Sequence, residues 1–188
     1  KKFDGSALIG NVDYIIYANS AEVSKGKAEA GKEVSTDLTV NEGMVNFIVV
    51  LSNEAGDGPR AKHSMYAGND SPKTVDNLKL TLDENGHATV TWEAPKEGVH
   101  KGYIGQLTYD VFRNVGGTSE KVSSGQTATE FSETLTKSKL SSYSYSVQAI
   151  NSTKKSDLAT TNGETYGNAM EVPFFDDFLT MEDSKVYT

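Results

Sequence analysis

The feature that most constrains this sequence is one strand-like pattern that occurs twice. Residues 45–53 (VNFIVVLSN) and residues 143–151 (YSYSVQAIN) both place an apolar or aromatic side chain at every second position, and both end in asparagine. Side chains alternate between the two faces of a β-strand, so a period of two is typical of a strand with one buried face. The two stretches lie 98 residues apart (143 − 45), which indicates a repeated unit of about that length.

The same period of two predicts further strands at residues 12–19, 77–82, 87–92 and 107–114. Clusters of Gly, Asn, Asp and Ser separate these segments, as turns require. The best helix candidate, residues 20–34, is interrupted by glycine and has almost no apolar stripe, so it predicts a loop with a short strand. We therefore expect an all-β chain.

Alignment of the two halves shows that more than one strand repeats. Residues 12–19 match residues 107–114 at an offset of 95 (107 − 12), and Tyr66 matches Tyr166 at an offset of 100 (166 − 66). Small insertions in loops account for the slow drift of the offset. Three strands that recur in the same order predict tandem β-sandwich domains.

The repeat predicts a first domain at residues 1–71, a complete second domain at residues 72–171 and a tail at residues 172–188. The first two strands of the second domain occupy residues 75–94, and a shift by 95 places their counterparts before residue 1. Because a complete sandwich needs roughly 90 to 100 residues, we expect about 20 further residues upstream in the parent protein. The alternative is a strand donor, another chain that supplies the missing strands to residues 1–71.

The second copy carries residues that resemble the fibronectin type III family. Trp92, the only tryptophan, stands in VTWEAP, where that family places its strand-B core tryptophan, and Tyr143 stands where it keeps the tyrosine of its corner motif. AIN followed by SDLAT (149–160) is similar to the family's F–G passage. The resemblance covers residues 73–167 and, in its second half, the first copy, where Val45 replaces the corner tyrosine. It implies tandem immunoglobulin-like (fibronectin type III) β-sandwiches.

The tail contains VPFFDDF (172–178), which is similar to the start of the jelly-roll domains that follow such tandems in bacterial surface proteins. A C-terminal edge strand or a disordered tail is the alternative interpretation. Asp176 and Asp177 are neighbours and point to opposite faces of a strand, so they do not form a carboxylate pair by themselves.

Charge and composition argue against several classes of partner. The formal net charge is −8, the sequence pI is about 4.9 and no Lys/Arg cluster occurs, which argues against nucleic acid and anionic membranes. No apolar run approaches the roughly 18 residues of a membrane-spanning helix. The absence of cysteine excludes disulfides, thiolate metal sites and thiol catalysis.

No recognisable catalytic or cofactor motif occurs in the sequence. His63, His87 and His100 are scattered and have no metal-ligand spacing. Residues 53–60 (NEAGDGPR) are rich in glycine but lack the G-K-[ST] ending of a phosphate loop, and G-x-S-x-G is missing. We therefore predict no enzyme activity and no cofactor, and leave open a single calcium ion held partly by backbone carbonyls.

Five loop residues are the candidates for ligand contact. Asp57 and Arg60 lie in the predicted F–G loop of the first copy, and Lys154 and Lys155 lie in that of the second. The resemblance implies that partners bind such loops. Tyr103, in the loop before the third strand of the second copy, is the tyrosine that the strand pattern does not assign to packing. Ordinary exposed turns are the alternative for all five.

The resemblance implies a non-catalytic extracellular module of a bacterial surface or secreted protein. Two sandwiches joined by the short link GNDSPKTVD (68–76), where Pro72 limits rotation, would form a semi-rigid rod that displays or spaces other domains. Adhesion to a protein or glycan ligand is the associated hypothesis. The alternative is a spacer or a carbohydrate-binding accessory region of a secreted glycan-active enzyme.

Overall fold

The computed structural model of the chain describes Ser6 and residues 9–169. These residues form fourteen β-strands and no helix, so this part of the chain has no helix that would cross a membrane. The strands are β1 (Asn11–Ala18), β2 (Ala21–Glu29), β3 (Gly43–Asn53), β4 (Gly56–Asp57), β5 (Ala61–Ala67), β6 (Asp76–Leu82), β7 (His87–Glu93), β8 (Thr108–Val115), β9 (Thr118–Gln126), β10 (Glu130–Thr134), β11 (Ser141–Asn151), β12 (Lys154–Lys155), β13 (Ala159–Thr160) and β14 (Glu164–Tyr166).

The first unit, residues 11–67, is one antiparallel sheet with the strand order β2-β1-β3-β4, and β5 also pairs with β3. The alternating segments 12–19 and 45–53 form β1 and β3, as predicted. β2 covers nine residues, where the sequence predicted only a short strand within a loop. It pairs with β1 along the whole of that strand. The partner strand therefore supplies hydrogen bonds that favour an extended backbone despite the glycine in β2.

The second unit, residues 76–166, consists of two antiparallel sheets. One has the order β10-β7-β6, and the other has the order β12-β11-β8-β9, with β13 and β14 also paired to β11. Residues of both sheets form one hydrophobic core, which is the architecture of an immunoglobulin-like sandwich. The prediction of an all-β fold is confirmed, and the second unit has the predicted immunoglobulin-like sandwich.

The core of the second unit forms around Trp92 and Tyr109. These residues are 5% and 2% exposed, and their rings meet edge to face with centroids 5.3 Å apart. Residues with no exposed surface come from both sheets: Ala88, Val90, Val111, Tyr145, Val147 and Ala149. Full burial of a side chain the size of valine contributes about 1.5–3 kcal/mol, so packing between the two sheets dominates the stability of this unit.

The internal repeat is visible in the register of the strands. Tyr14 lies opposite Leu51 in the β1–β3 pair, and Tyr109 lies opposite Ala149 in the β8–β11 pair. The offsets are 95 (109 − 14) and 98 (149 − 51), the same values as in the sequence alignment. The sheet of the first unit therefore repeats the larger sheet of the second. Among the described residues, the first unit has no counterpart of the sheet formed by β6, β7 and β10.

The boundary between residues 71 and 72 that the repeat predicts stays a prediction. The upstream strands expected for the first domain are likewise not tested by residues 9–169. VPFFDDF (172–178), the predicted jelly-roll start, lies outside the described residues.

Trp92→Ala is expected to destabilise the second unit by about 3–5 kcal/mol, because truncation of a buried aromatic side chain removes its packing and leaves a cavity. Trp92→Phe is the matched control. The indole N–H of Trp92 has no hydrogen-bond partner among the described residues, so phenylalanine removes no hydrogen bond and keeps most of the packing. Urea unfolding followed by circular dichroism measures both variants. An alanine variant that unfolds at the parent's midpoint would place Trp92 outside the core.

Candidate functional site

The two most completely buried polar residues of the described chain lie where the two units meet. Asp70 is 0% and Asn151 is 2% exposed. Asp70 belongs to the link between the units, residues 68–75, and its carbonyl accepts a hydrogen bond from the Asn151 side chain at 3.1 Å. Buried polar groups need such partners, so these residues mark a specific contact. We call this contact the joint; it is formed by the link, the loop 97–103, Asn151, Glu42, Tyr66 and Lys154.

The backbone of the link pairs with the loop 97–103 of the second unit. The Asp70 N–H donates to the carbonyl of Tyr103 at 2.7 Å, and the Val99 N–H donates to the carbonyl of Ser71 at 2.8 Å. These bonds satisfy backbone groups that a free linker would leave to water. The link is therefore part of the second unit's surface rather than a separate flexible segment.

The carboxylate of Asp70 is the centre of the joint. Its Oδ2 accepts hydrogen bonds from the backbone N–H groups of His100 at 2.7 Å and Gly102 at 3.0 Å. Its Oδ1 accepts one from the Ser71 N–H at 2.8 Å and lies 2.9 Å from Nδ1 of His100. Hydrogen bonds of this kind compensate a buried negative charge for the water it has lost.

Burial by itself raises the pKa of a carboxyl group, because it disfavours the charged form. At Asp70 the hydrogen bonds from the His100 side chain and from the backbone of Gly102, His100 and Ser71 together outweigh this burial. They hold the pKa of Asp70 below its usual value of 3.8. Asp70 is therefore ionised at neutral pH, and the joint contains a fixed negative charge.

Glycine is required at two positions of the loop because Asp70 packs against its backbone. A Cβ atom at Gly98 would overlap Oδ2 of Asp70, and a Cβ atom at Gly102 would lie 2.9 Å from the Cβ atoms of Asp70 and Tyr66. The sequence GVHKG (98–102) thus places two glycines around the histidine that contacts Asp70. This spacing is the signal that sequence reasoning missed when it assigned the segment to an ordinary loop.

Lys154 extends from the second unit to the first unit and the link. Its Nζ donates to Tyr66 Oη at 2.9 Å, and also to a carboxylate oxygen of Glu42 and to the carbonyl of Asn69. The same Nζ lies 5.0 Å from the centroid of the Tyr66 ring, and that ring stacks on His100 with centroids 5.0 Å apart. The hydrogen bonds to Glu42 and Tyr66 raise the pKa of Lys154. The joint is therefore one continuous set of contacts.

The structure separates the five predicted ligand-contact residues. Lys154 lies in the joint, and Tyr103 belongs to it through its backbone while its side chain is 73% exposed. Lys155 is exposed beside them, and Asp57 in β4 and Arg60 between β4 and β5 are exposed in the region after β3. β3 begins at the joint and spans eleven residues, roughly 35 Å of extended chain, before it reaches that loop. The five do not form one site, and their part in ligand binding stays a prediction.

An open groove of 750 Å³ lies beside the joint and is lined by residues of both units. The exposed Tyr103 ring and the stacked rings of Tyr66 and His100 offer flat surfaces there, and His63 and Lys101 provide polar atoms. No three His, Asp or Glu side chains of the described residues are arranged to hold a metal ion. The rings and polar atoms that line the groove can stack against a ligand and form hydrogen bonds with it.

No protein-family model and no curated protein sequence matches the chain. Among solved structures it is similar to the FN1–FN3 domains of chicken CNTN1, with 16% identity, a TM-score of 0.43 and coverage of 84% of this chain and 56% of that one. It is similar to domains d3–d4 of the rat CD45 extracellular region, with 16% identity, a TM-score of 0.45 and coverage of 76% and 75%. FN3tt mut is 14% identical, with a TM-score of 0.39 and coverage of 53% and 98%. These likenesses concern the fold alone.

Asp70→Asn is expected to loosen the joint by about 1–3 kcal/mol, because one amide oxygen cannot accept all the hydrogen bonds of the carboxylate and buried donors are left unsatisfied. Amide hydrogen exchange at His100 and Gly102 measures the loss directly. Asp83→Asn is the matched control: it removes the same charge from a carboxylate that accepts the N–H groups of Asn85 and His87 in the β6–β7 turn. If both variants change exchange at His100 and Gly102 equally, the joint does not depend on Asp70.

The stability that Asp70 gives to the joint is expected to disappear in acid. A carboxyl group whose pKa is lower in the folded state stabilises that state above its unfolded pKa, and the contribution is lost as pH falls through the folded value. Protection factors of His100 and Gly102 should therefore fall below about pH 4. In Asp70→Asn this acid dependence should be absent. An unchanged acid dependence in the variant would assign it to other carboxylates.

Proposed function

We propose that this chain is a non-catalytic extracellular module of a bacterial surface or secreted protein, in which the two units hold neighbouring domains or ligand-binding loops at a set distance. The observation that carries the proposal is the joint, because it holds the link on the second unit and connects Lys154 and His100 with the first unit. An acidic surface with a net charge of −8 is compatible with a soluble, exposed position.

The link has few degrees of freedom. Pro72 is almost fully buried and forms a β-bridge with Gly98, and Lys73 forms an ion pair with Glu97. The proline ring fixes one backbone angle, and burial of Asp70 and Val75, at 0% and 5% exposure, restricts the link on either side of it. A polar linker of the same length without these contacts would behave as a flexible coil. A link that these contacts hold in one conformation supports the function of a spacer.

The first-unit loop that contains Asp57 and Arg60 is the surface we propose for adhesion or ligand display. It lies at the end of β3 away from the joint, and both residues are exposed. The corresponding loop of the second unit is occupied, because Lys154 contacts the first unit. A protein or glycan ligand would therefore meet the loop of the first unit while the joint fixes its orientation.

The groove beside the joint favours a second candidate function, a carbohydrate-binding accessory region or spacer of a secreted glycan-active enzyme. The exposed Tyr103 ring and the neighbouring Tyr66–His100 stack provide faces on which sugar rings can lie. A glycan array with the whole chain separates the two functions. Binding to a defined glycan supports the second function, and its absence leaves the spacer.

Lys154→Met is expected to widen the distribution of orientations between the two units, because it removes the hydrogen bonds to Glu42, Tyr66 and Asn69. Small-angle X-ray scattering and residual dipolar couplings measure this distribution. Lys155→Met is the matched control, since it removes the neighbouring exposed charge. The parent and the control should each fit one arrangement. If the parent already samples many orientations, the proposed spacer function is wrong.

A further inference from the structure

One face of the first-unit sheet forms an apolar groove of 550 Å³. Its floor consists of side chains from the two central strands: Val12, Tyr14 and Ile16 of β1, and Val49 and Leu51 of β3. The end of β2 and the segment that follows it form one wall, where Glu29 and Lys32 are the charged residues. Leu51 is 43% exposed, so the groove is open over one of its largest aliphatic side chains.

The internal repeat shows what covers the same face in the second unit. Tyr109, Val111, Val147 and Ala149 occupy the positions equivalent to Tyr14, Ile16, Val49 and Leu51 in the strand register. All four are between 0% and 2% exposed. They share one hydrophobic core with residues of β6, β7 and β10. Among the described residues, the same face is therefore covered by a second sheet in the second unit and only partly covered in the first, where Val12 is 6% and Leu51 is 43% exposed.

The segment of residues 33–40 strengthens this comparison because it corresponds to β10. It follows β2 as β10 follows β9, and it carries an alternating pattern at Val34, Leu38 and Val40. β10 pairs along β7 in the second unit, whereas residues 33–40 form no strand in the described structure. Val34 lines the groove and is 46% exposed. An apolar face and an unpaired backbone thus lie side by side.

We propose that this groove binds a β-hairpin with alternating aliphatic and aromatic side chains, contributed by a polypeptide segment other than these 188 residues. One strand of the hairpin pairs with residues 33–40, as β7 pairs with β10, and its inward side chains fill the groove. Addition of a strand to an exposed edge is a common mode of peptide recognition, in which backbone hydrogen bonds give affinity and alternate side chains give specificity.

Two other occupants fit the groove less well. The equivalent face of a second copy would supply apolar side chains but would leave the backbone of residues 33–40 unpaired. The chain's own tail has no uninterrupted apolar alternation, because Asp176 interrupts one alternate series and Asp177 the other. A hairpin satisfies both requirements, the apolar face and the unpaired backbone.

The first measurement tests whether the groove is open in the whole chain. The protein should be a monomer by light scattering and should bind ANS, a dye that reports exposed apolar surface. Leu51→Lys should abolish most of this binding. Leu158→Lys is the matched control, because Leu158 is 51% exposed and lies in the second unit outside the groove; it should leave dye binding unchanged.

The second measurement supplies a hairpin as a defined probe. Residues 1–11 are replaced by a second copy of residues 75–106, which contains β6, β7 and the loop to β8 in the position that the offset of 95 assigns. This chimera should lose ANS binding to the level of Leu51→Lys, and the amides of Val34 and Thr36 should become protected from exchange. The control chimera carries Val90→Ser and Trp92→Ser in the grafted copy, and it should keep the dye binding of the parent.

Three results would overturn the proposal. The first is equal binding of ANS by the intact and control chimeras, which would mean that a hairpin does not cover the groove. The second is a parent protein that is a dimer and that Leu51→Lys dissociates, which would mean that a second copy is the occupant. The third is a parent protein that binds little ANS until residues 170–188 are removed, which would mean that the chain's own tail is the occupant.

Discussion

The path of the link between the two units depends on one buried charge, the carboxylate of Asp70. A carboxylate with no exposed surface is tolerated only where donors replace the water it has lost. Three of those donors are backbone N–H groups, of Ser71, His100 and Gly102, and backbone donors cannot move without moving the chain. The charge therefore determines the path of the link and the shape of the loop that meets it. Gly98 and Gly102 follow from the same requirement, because the carboxylate reaches these donors only where the loop has no side chain in the way.

The other contacts of the joint add to this centre rather than replace it. The Lys154 and Glu42 side chains are 25% and 55% exposed, and ion pairs with that much access to water contribute little on their own. Their effect is to hold the first unit against the loop 97–103. The hydrogen bonds to Asp70 already restrict that loop, and Lys154 and the Tyr66–His100 stack connect it with the first unit. A single buried group with several partially exposed neighbours is sufficient to make a short link stiff.

The strands were predictable from the sequence, and the joint was not, for a physical reason. A period of two is a local property, so β1, β3, β8 and β11 are evident in the residues that form them. The pairing of Asp70 with His100 joins residues 30 positions apart, and no local pattern of hydrophobicity encodes it. The sequence did identify Lys154 as a notable loop cation. Its partner Glu42 lies 112 positions away, so the residues around Lys154 could not reveal its contact with the first unit, and its part in ligand binding stays a prediction.

The two units use equivalent residues differently, which determines where recognition can take place. Asn151 ends β11 and donates to the link, whereas its counterpart Asn53 ends β3 and accepts the N–H of Ala55 in its own loop at 2.9 Å. In the loop of the second unit Lys154 contacts the first unit, whereas Asp57 and Arg60 in the loop region of the first unit are exposed. The sheets also differ. In the second unit the sheet of β6, β7 and β10 packs on the large sheet, whereas the described residues of the first unit form no second sheet over the equivalent face. The first unit therefore carries the exposed loop with Asp57 and Arg60 and the partly covered sheet face, and the second unit, through the joint, is the support that orients them.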